Sequence, residues 1–513
     1  MKATVYFETM GCQMNKLDSE LLADDLVRQG CRLVERAEQA EVIVLNTCSV
    51  RGHAEEKVFS KIGQLRRRHE RGEVIVAVVG CMAERLGQKL LDDWPQVDVV
   101  CGPGRIHQLA QLIGQVQSGG ADRQRALALN DPAQGEALEA WDACRGRREA
   151  LSPFQAYVRA MRGCNNYCSY CVVPYVRGPE QSRPLAHIVA EARRLAEGGV
   201  KEITLLGQAV NAYRDPTNGA ERRLAELLQA VHEIPELWRL RFVTNYPGAF
   251  DERLLGTMQE LPKVCEYLHV CAQSGSDRIL GAMHRRYSAG QYLALIDRAR
   301  ALIPRLAVAG DFIVGFPGET EEDFAATCRL ARQVRYKNCF IFKYSPRPGT
   351  YAAQHLPDDV PEPVKRRRHQ ELLALQDEIS LADNRHFVGR TVEILVEGAS
   401  KHPHLDARAE ADGQARLDDS GTSSSRRRRG VLPEAPPVQL VGRTRGDHIV
   451  VFPGGAELIG RLAEVRIKKV SALTLFGEFA AVRDQHGGGP SRRGGADRQR
   501  QPETKGPHHG QAS

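Results

Sequence analysis

The chain has 513 residues, 42% of them hydrophobic, and carries 71 basic against 64 acidic side chains for a formal net charge of +7. That length allows about three domains of roughly 150 residues each and excludes a disordered or fibrous polymer, while no run reaches the roughly 18 apolar residues of a membrane span. Residues 1–12 show no leader pattern, so a reducing cytoplasmic setting is expected, in which 13 cysteines point to metal ligation or catalysis rather than disulfides.

Residues 1–120 alternate short apolar runs with amphipathic stretches: TVYFET, a helical SELLADDLVRQG, EVIVLNTC, a helix from about His53, EVIVAVVGC, a third helix and VDVVCG. This rhythm predicts an α/β domain with a flavodoxin-like open parallel sheet. Residues 121–150, rich in Gly, Ala and Arg without a steady period, read as a linker. From 151 to 386 the strands AYVRAM, EITLLG, LRFVT, YLHV, AVAGDFIVGF and CFIFKY, each but the last followed by a helical stretch, predict a partial (βα)6 TIM-like barrel. The basic helix that starts PVKRRRHQ leads into a small β-barrel over 387–480. An insert at about 402–438 and the tail 481–513 are too polar to build a core and read as disordered. In RLAEVRIKKV, basic and apolar residues alternate, which puts Arg461, Arg466 and Lys468 near one face.

Two sets of three cysteines carry the chemistry. Cys164, Cys168 and Cys171 lie in a Cys-x3-Cys-x2-Cys loop after the first barrel strand, where barrel chemistry is found. A structural zinc site wants two Cys pairs. Three thiolates on one loop suit an iron–sulfur cube with one iron left open, the other readings being unrelated thiols or zinc with a remote fourth ligand. Cys12, Cys48 and Cys81 each follow a predicted strand of the N-terminal sheet, so they share the sheet edge where ligands bind, and small or polar neighbours (Gly11, Asn46, Thr47, Gly80) leave backbone N–H groups free for sulfur. Scattered buried thiols are the plain alternative, and topology alone also admits Cys101.

In ETMGCQMNKLDSE, NTCSVRGHAEEKV, VVGCMAERLG, RGCNNYCSYCVVPYVRGPEQSRP, LLGQAVNAY, QSGSDRIL, AGDFIVGFPGETEEDF and YSPRPGTYAA, the chain resembles the radical S-adenosylmethionine (SAM) methylthiotransferases, closest to their MiaB-type tRNA-modifying branch. The likeness covers about residues 3–400 and 440–480. It implies two [4Fe-4S] clusters, an auxiliary one on Cys12, Cys48 and Cys81 and a SAM-cleaving one on Cys164, Cys168 and Cys171. Cys31, Cys101, Cys144, Cys265, Cys271, Cys328 and Cys339 match no ligand position. Two SAM molecules per turnover are implied, as methyl donor and as radical source, because an aromatic C–H gives acid–base chemistry little to work on. By the same resemblance Tyr170 lies against the SAM adenine, Gly207 and Gln208 near its amino group, Ser274 and Gly275 at its ribose, and Arg285 at its carboxylate. Gly315 and Glu319, in GFPGET, shape the pocket or cap a helix.

The chain departs from the family pattern at Cys271, where proline is common, at Asn245 in FVTNYP, and at Arg286, where glycine is usual. The implied substrate is N6-isopentenyladenosine at tRNA position 37, beside the anticodon, methylthiolated at C2, with the C-terminal barrel resembling the RNA-associated TRAM domain. A single-stranded loop would let the base splay into the barrel. A flavodoxin- or ferredoxin-type electron donor and a monomeric state complete the expectation. Rival readings are methylthiolation of another tRNA nucleoside or of a ribosomal-protein aspartate, a single-cluster methyltransferase, and a non-enzymatic zinc and RNA-binding protein.

Overall fold

The computed structural model describes residues 2–49, 52–119, 124–130, 135–143, 145, 152–217, 222–401 and 438–483. The expected insert, apart from Val438, and the tail beyond Arg483 lie outside them, as does Cys144. No described helix is long and apolar enough to cross a membrane.

The N-terminal domain is a parallel sheet of β1 (Thr4–Thr9), β2 (Arg32–Leu33), β3 (Val42–Thr47), β4 (Ile75–Gly80), β5 (Val99–Cys101) and β6 (Ala126–Ala128), ordered β2-β1-β3-β4-β5-β6. Helices α1 (Gln13–Arg28), α2 (Gly52–Glu70), α3 (Cys81–Leu86), α4 (Gln88–Asp93), α5 (Leu109–Ser118) and α6 (Gly135–Ala143) complete it. Covered on both faces, β3 and β4 are buried along their whole length, which is why they read as nearly unbroken apolar runs. The stretch read as a linker is not one throughout: β6 pairs with β5 as the sixth strand, and α6 buries Leu138 and Trp141 in the same core. A three-residue strand and a nine-residue helix between Gly- and Arg-rich segments are too short to show a period.

The central domain adds β7 (Gln155–Arg159), β8 (Met161–Arg162), α7 (Val173–Arg177), β9 (Gln181–Ser182), α8 (Leu185–Glu197), β10 (Glu202–Leu206), α9 (Leu224–His232), β11 (Arg239–Val243), α10 (Glu252–Glu260), β12 (Tyr267–His269), α11 (Asp277–Ala282), α12 (Ala289–Leu302), β13 (Ala307–Val314), α13 (Glu321–Val334), β14 (Asn338–Lys343), α14 (Tyr351–His355) and α15 (Glu362–Asn384). Two three-stranded parallel sheets, β7-β10-β11 and β12-β13-β14, join through single bridges such as Asn245 to Val270, giving the expected partial barrel. The last strand has its helix after all: α15 buries Leu372, Leu375 and Ile379 in the barrel core, and His369 Nε2 lies 3.0 Å from the Ile341 carbonyl of β14. The intervening loop with α14 conceals this pairing in the sequence.

A closed five-stranded barrel, β15 (Thr391–Ala399), β16 (Val438–Thr444), β17 (Ile449–Gly454), β18 (Leu462–Val470) and β19 (Thr474–Val482), ends the described chain. On β18, Arg466 and Lys468 are exposed on either side of buried Ile467; Arg461 precedes the strand, five positions from Arg466, and so falls out of the alternating phase expected of it. The turn between β16 and β17 closes the N-terminal mouth of the central barrel. Arg241 donates to the carbonyls of Thr444 (2.7 Å) and Arg445 (2.9 Å), Arg239 to that of Arg443 (2.7 Å), and Lys337 to Asp447 (3.3 Å).

Candidate functional site

Cys12, Cys48 and Cys81 follow β1, β3 and β4 at one edge of the N-terminal sheet. Cys12 is the residue before α1, Cys48 follows Thr47 directly, and Cys81 opens α3. Gly11, at φ +130°, has no room for a side chain: a Cβ there would stand 2.6 Å from Cys48 Cβ. The turn bearing Cys12 is fastened to the end of β3 by buried amides, Asn15 donating to Asn46 Oδ1 and the Thr47 carbonyl (2.8 Å each) while Asn46 donates to the Asn15 carbonyl (2.8 Å). Burial pushes the Cys81 thiol up to about 12, with Arg177 opposing the rise and the nearby Cys48 and Cys12 adding to it. Arg177 Nε donates to Cys81 Sγ at 3.2 Å and its Nη2 to Asp18 at 2.9 Å.

Arg177 belongs to α7, the helix that follows the second triplet, and Cys81 packs against Val172 and Val176 there. The two cysteine sets are therefore neighbours across the domain boundary. Cys164, Cys168 and Cys171 sit on a loop bracketed by the antiparallel pair β8 and β9. Gly163, at φ +64°, starts it; a Cβ would meet the Pro179 carbonyl oxygen at 2.0 Å. Burial and the neighbouring Cys168 push the Cys171 thiol up to about 12. Two sulfurs accept hydrogen bonds, Cys164 Sγ from Asn166 (3.3 Å) and Cys168 Sγ from Arg285 (3.3 Å). All six thiols are free of disulfides. Three sulfurs per set, with N–H donors aimed at Cys81, Cys164 and Cys168, is a donor set that suits thiolate-held iron–sulfur cubes.

The residues expected around SAM fall into two groups. Tyr170 and Arg285 stand beside the cluster loop. The phenol is raised by burial and feels Arg285, Cys168 and Cys171, and the guanidinium lies over the rings of Tyr246 (4.7 Å) and Tyr287 (5.0 Å) while donating to the Cys271 carbonyl (2.8 Å). Gly207 closes β10 against Met161, whose Cγ a Cβ would approach to 2.7 Å, with half-buried Gln208 next to it. Ser274 and Gly275 turn the other way, toward α13: Ser274 Oγ is 3.3 Å from Thr327 Oγ1, and the Gly275 N–H donates to that same oxygen at 3.0 Å. Glu319 is bound by the Gly315 N–H (2.6 Å) and Arg368 (2.7 Å), which is a structural clamp onto α15. Of the departures, Asn245 ties β11 to β12 through the His269 carbonyl (3.0 Å), and Arg286 is exposed. Cys101 lies in the N-terminal core, its Sγ 3.7 Å from the Gly102 carbonyl.

Sequence reasoning missed the buried ion pairs clustered at the domain boundary. Arg159 bridges Asp18 on α1 and Asp142 on α6 (3.0 Å), Arg162 reaches Asp142, Arg145 reaches Glu20, and Arg183 holds Glu139 (2.8 Å) and Glu191 (2.7 Å). Burial opposes the charge on Asp142, yet Arg159, Arg162 and Arg183 hold its carboxyl below the usual range.

Comparison with known proteins matches residues 4–102 to a family described as "Uncharacterized protein family UPF0004", 158–331 to the radical SAM superfamily and 430–480 to the TRAM domain. A Rhodopirellula baltica protein named tRNA-2-methylthio-N(6)-dimethylallyladenosine synthase is 45% identical over 488 residues, covering 94% of this chain and 96% of the relative. One of the same name from Moorella thermoacetica is 40% identical over 475 residues, covering 92% and 97%. Among solved structures, the radical S-adenosylmethionine methyltransferase TsrM from Kitasatospora setae, with cobalamin and a [4Fe-4S] cluster bound, shares the fold at TM-score 0.50 and 16% identity, over 69% of this chain and 77% of that one.

Proposed function

The chain belongs to the tRNA-2-methylthio-N(6)-dimethylallyladenosine synthase family, and on that premise we propose that it methylthiolates C2 of N6-isopentenyladenosine beside the anticodon using two iron–sulfur centres. It is a radical SAM enzyme, with a [4Fe-4S] cluster and SAM following from that superfamily, and tRNA is its substrate. Our further assignment is that Cys164, Cys168 and Cys171 hold the SAM-cleaving cluster and Cys12, Cys48 and Cys81 an auxiliary one. When bound, these groups and two SAM molecules supply the radical that removes hydrogen from C2 and the methylated sulfur that replaces it.

The observation that carries this reading is the contact of Cys81 with Val172, Val176 and Arg177, which brings one three-thiol set against the helix leaving the other. In the proposal the chain's own groups do the positioning. Arg285 offers a planar fork suited to the SAM carboxylate, Tyr170 an aromatic face for its adenine, and Gly207 and Gln208 a close backbone approach for its amino group. Ser274 and Gly275, held to α13 through Thr327, are set at its ribose. A flavodoxin or ferredoxin supplies electrons to a cytoplasmic monomer. Anaerobic assay with isopentenylated tRNA and nucleoside mass spectrometry tests the whole: a 2-methylthio product that Cys48→Ala abolishes is expected. Unmodified tRNA alongside a methylthiolated ribosomal-protein aspartate would overturn the substrate.

A further inference from the structure

His269, Cys271 and Asp311 are left unused by that reaction. Leu268, Val270, Val308 and Phe312 join the core between strands and outer helices, so the alternate positions of β12 and β13 face the barrel interior. The parallel register sets His269 beside Ala309, which brings Asp311 opposite Cys271. One donor atom from each of the three side chains lies within 4.8 Å of the other two. His269 Nε2 is 3.2 Å from Asp311 Oδ1, and Cys271 Sγ is 2.9 Å from Asp311 Oδ2. The side chains of His269 and Asp311 are 12% and 21% exposed. Arg285 bonds the Cys271 carbonyl rather than its sulfur, and Phe340 meets the His269 ring edge-on at 5.9 Å.

We propose that His269, Cys271 and Asp311 bind one divalent metal ion of the zinc class inside the barrel. An imidazole, a thiolate and a carboxylate form a mixed donor set suited to borderline cations, and three protein ligands leave a tetrahedral ion one open position. A single thiolate sets this site apart from both cysteine triplets. Its sulfur ligand stands where proline is common in the sequences this chain resembles. The open position faces the barrel cavity and takes water or a neutral nitrogen ligand. That this ligand is a purine ring nitrogen rests on the function proposed above; the metal site does not.

The test uses the full-length chain with its iron and sulfide in place, exposed to zinc salt without air and dialysed into metal-free buffer. Zinc K-edge X-ray absorption and elemental analysis then report zinc separately from iron. The expected result is about one zinc per chain, with one sulfur at about 2.3 Å and nitrogen or oxygen at about 2.0–2.1 Å. Cys271→Ser and Asp311→Asn should each weaken zinc retention about tenfold or more with iron and sulfide unchanged. Wild-type chain that retains no zinc, a shell of three sulfurs or of oxygen alone, or equal retention in both variants overturns the proposal. Should a variant lose its iron as well, the wild-type coordination shell alone decides. Because the readout is zinc, failure of the tRNA assignment would leave this result intact.

Discussion

Arg177 sits where two charges and a sulfur meet. Its Nε is 3.2 Å from Cys81 Sγ and its Nη2 is 2.9 Å from Asp18, in a buried setting. Arg177→Met leaves Asp18 with Arg159 as its one remaining partner, a loss of about 1–3 kcal/mol, to be read from urea unfolding. Arg177→Lys should restore only part, because an ammonium cannot serve sulfur and carboxylate as a fork does. On the proposed assignment of two cubes, Cys48→Ala should cost about half of the iron and all methylthio product, measured by iron and sulfide assay alongside turnover. The six cysteines are legible in the sequence because each closes a strand or shares one short loop. Asp18 is not, since its partner Arg177 lies 159 positions away and pairing of charges leaves no local pattern.

The cysteine loop depends on glycines that differ in their surroundings. Gly163 (φ +64°) has the Pro179 carbonyl oxygen 2.0 Å from a would-be Cβ, whereas Gly178 (φ +75°) has no atom within 4 Å. Gly178→Ala should therefore cost only the backbone penalty of a side chain held at positive φ with extended ψ (−171°), about 1–3 kcal/mol. Gly163→Ala must also displace backbone, and we expect it to lose iron from the loop and SAM cleavage with it; iron content and 5′-deoxyadenosine release check both. At this scale the strand–helix rhythm is plain wherever a run is long enough to show its period. β6, three residues long, is recognisable only through the core it joins, and α15, legible as a helix, shows itself as the partner of β14 only through that core.

Across the molecule, the β16–β17 turn holds the C-terminal barrel against the central one. His448 in that turn lies tilted against the Phe387 ring at 4.8 Å, and burial, followed by the nearby Lys337, lowers its pKa from 6.5 to about 4. The unfolded chain thus binds the proton more readily, so this stabilisation is complete above about pH 6.5 and fades as the pH falls toward 4. Thermal unfolding between pH 7.5 and pH 5 should show a steeper loss for the wild type than for His448→Gln. Arg466, Lys468 and Lys469 are exposed on β18, and reversing their charge should weaken tRNA affinity, with a shallower salt dependence, while leaving the melting temperature within about 1 °C for a change of a few tenths of a kcal/mol.

The same turn decides how the RNA-associated module can be studied. Arg239 and Arg241 find their carbonyl acceptors on that turn, in Arg443, Thr444 and Arg445. Cutting the chain before β15 would strip both guanidinium groups of those acceptors, Arg239 losing Glu393 as well and Arg241 keeping only Glu202, and let water in from below. An inactive truncation would report a breached vessel, whether or not the missing piece ever touched RNA.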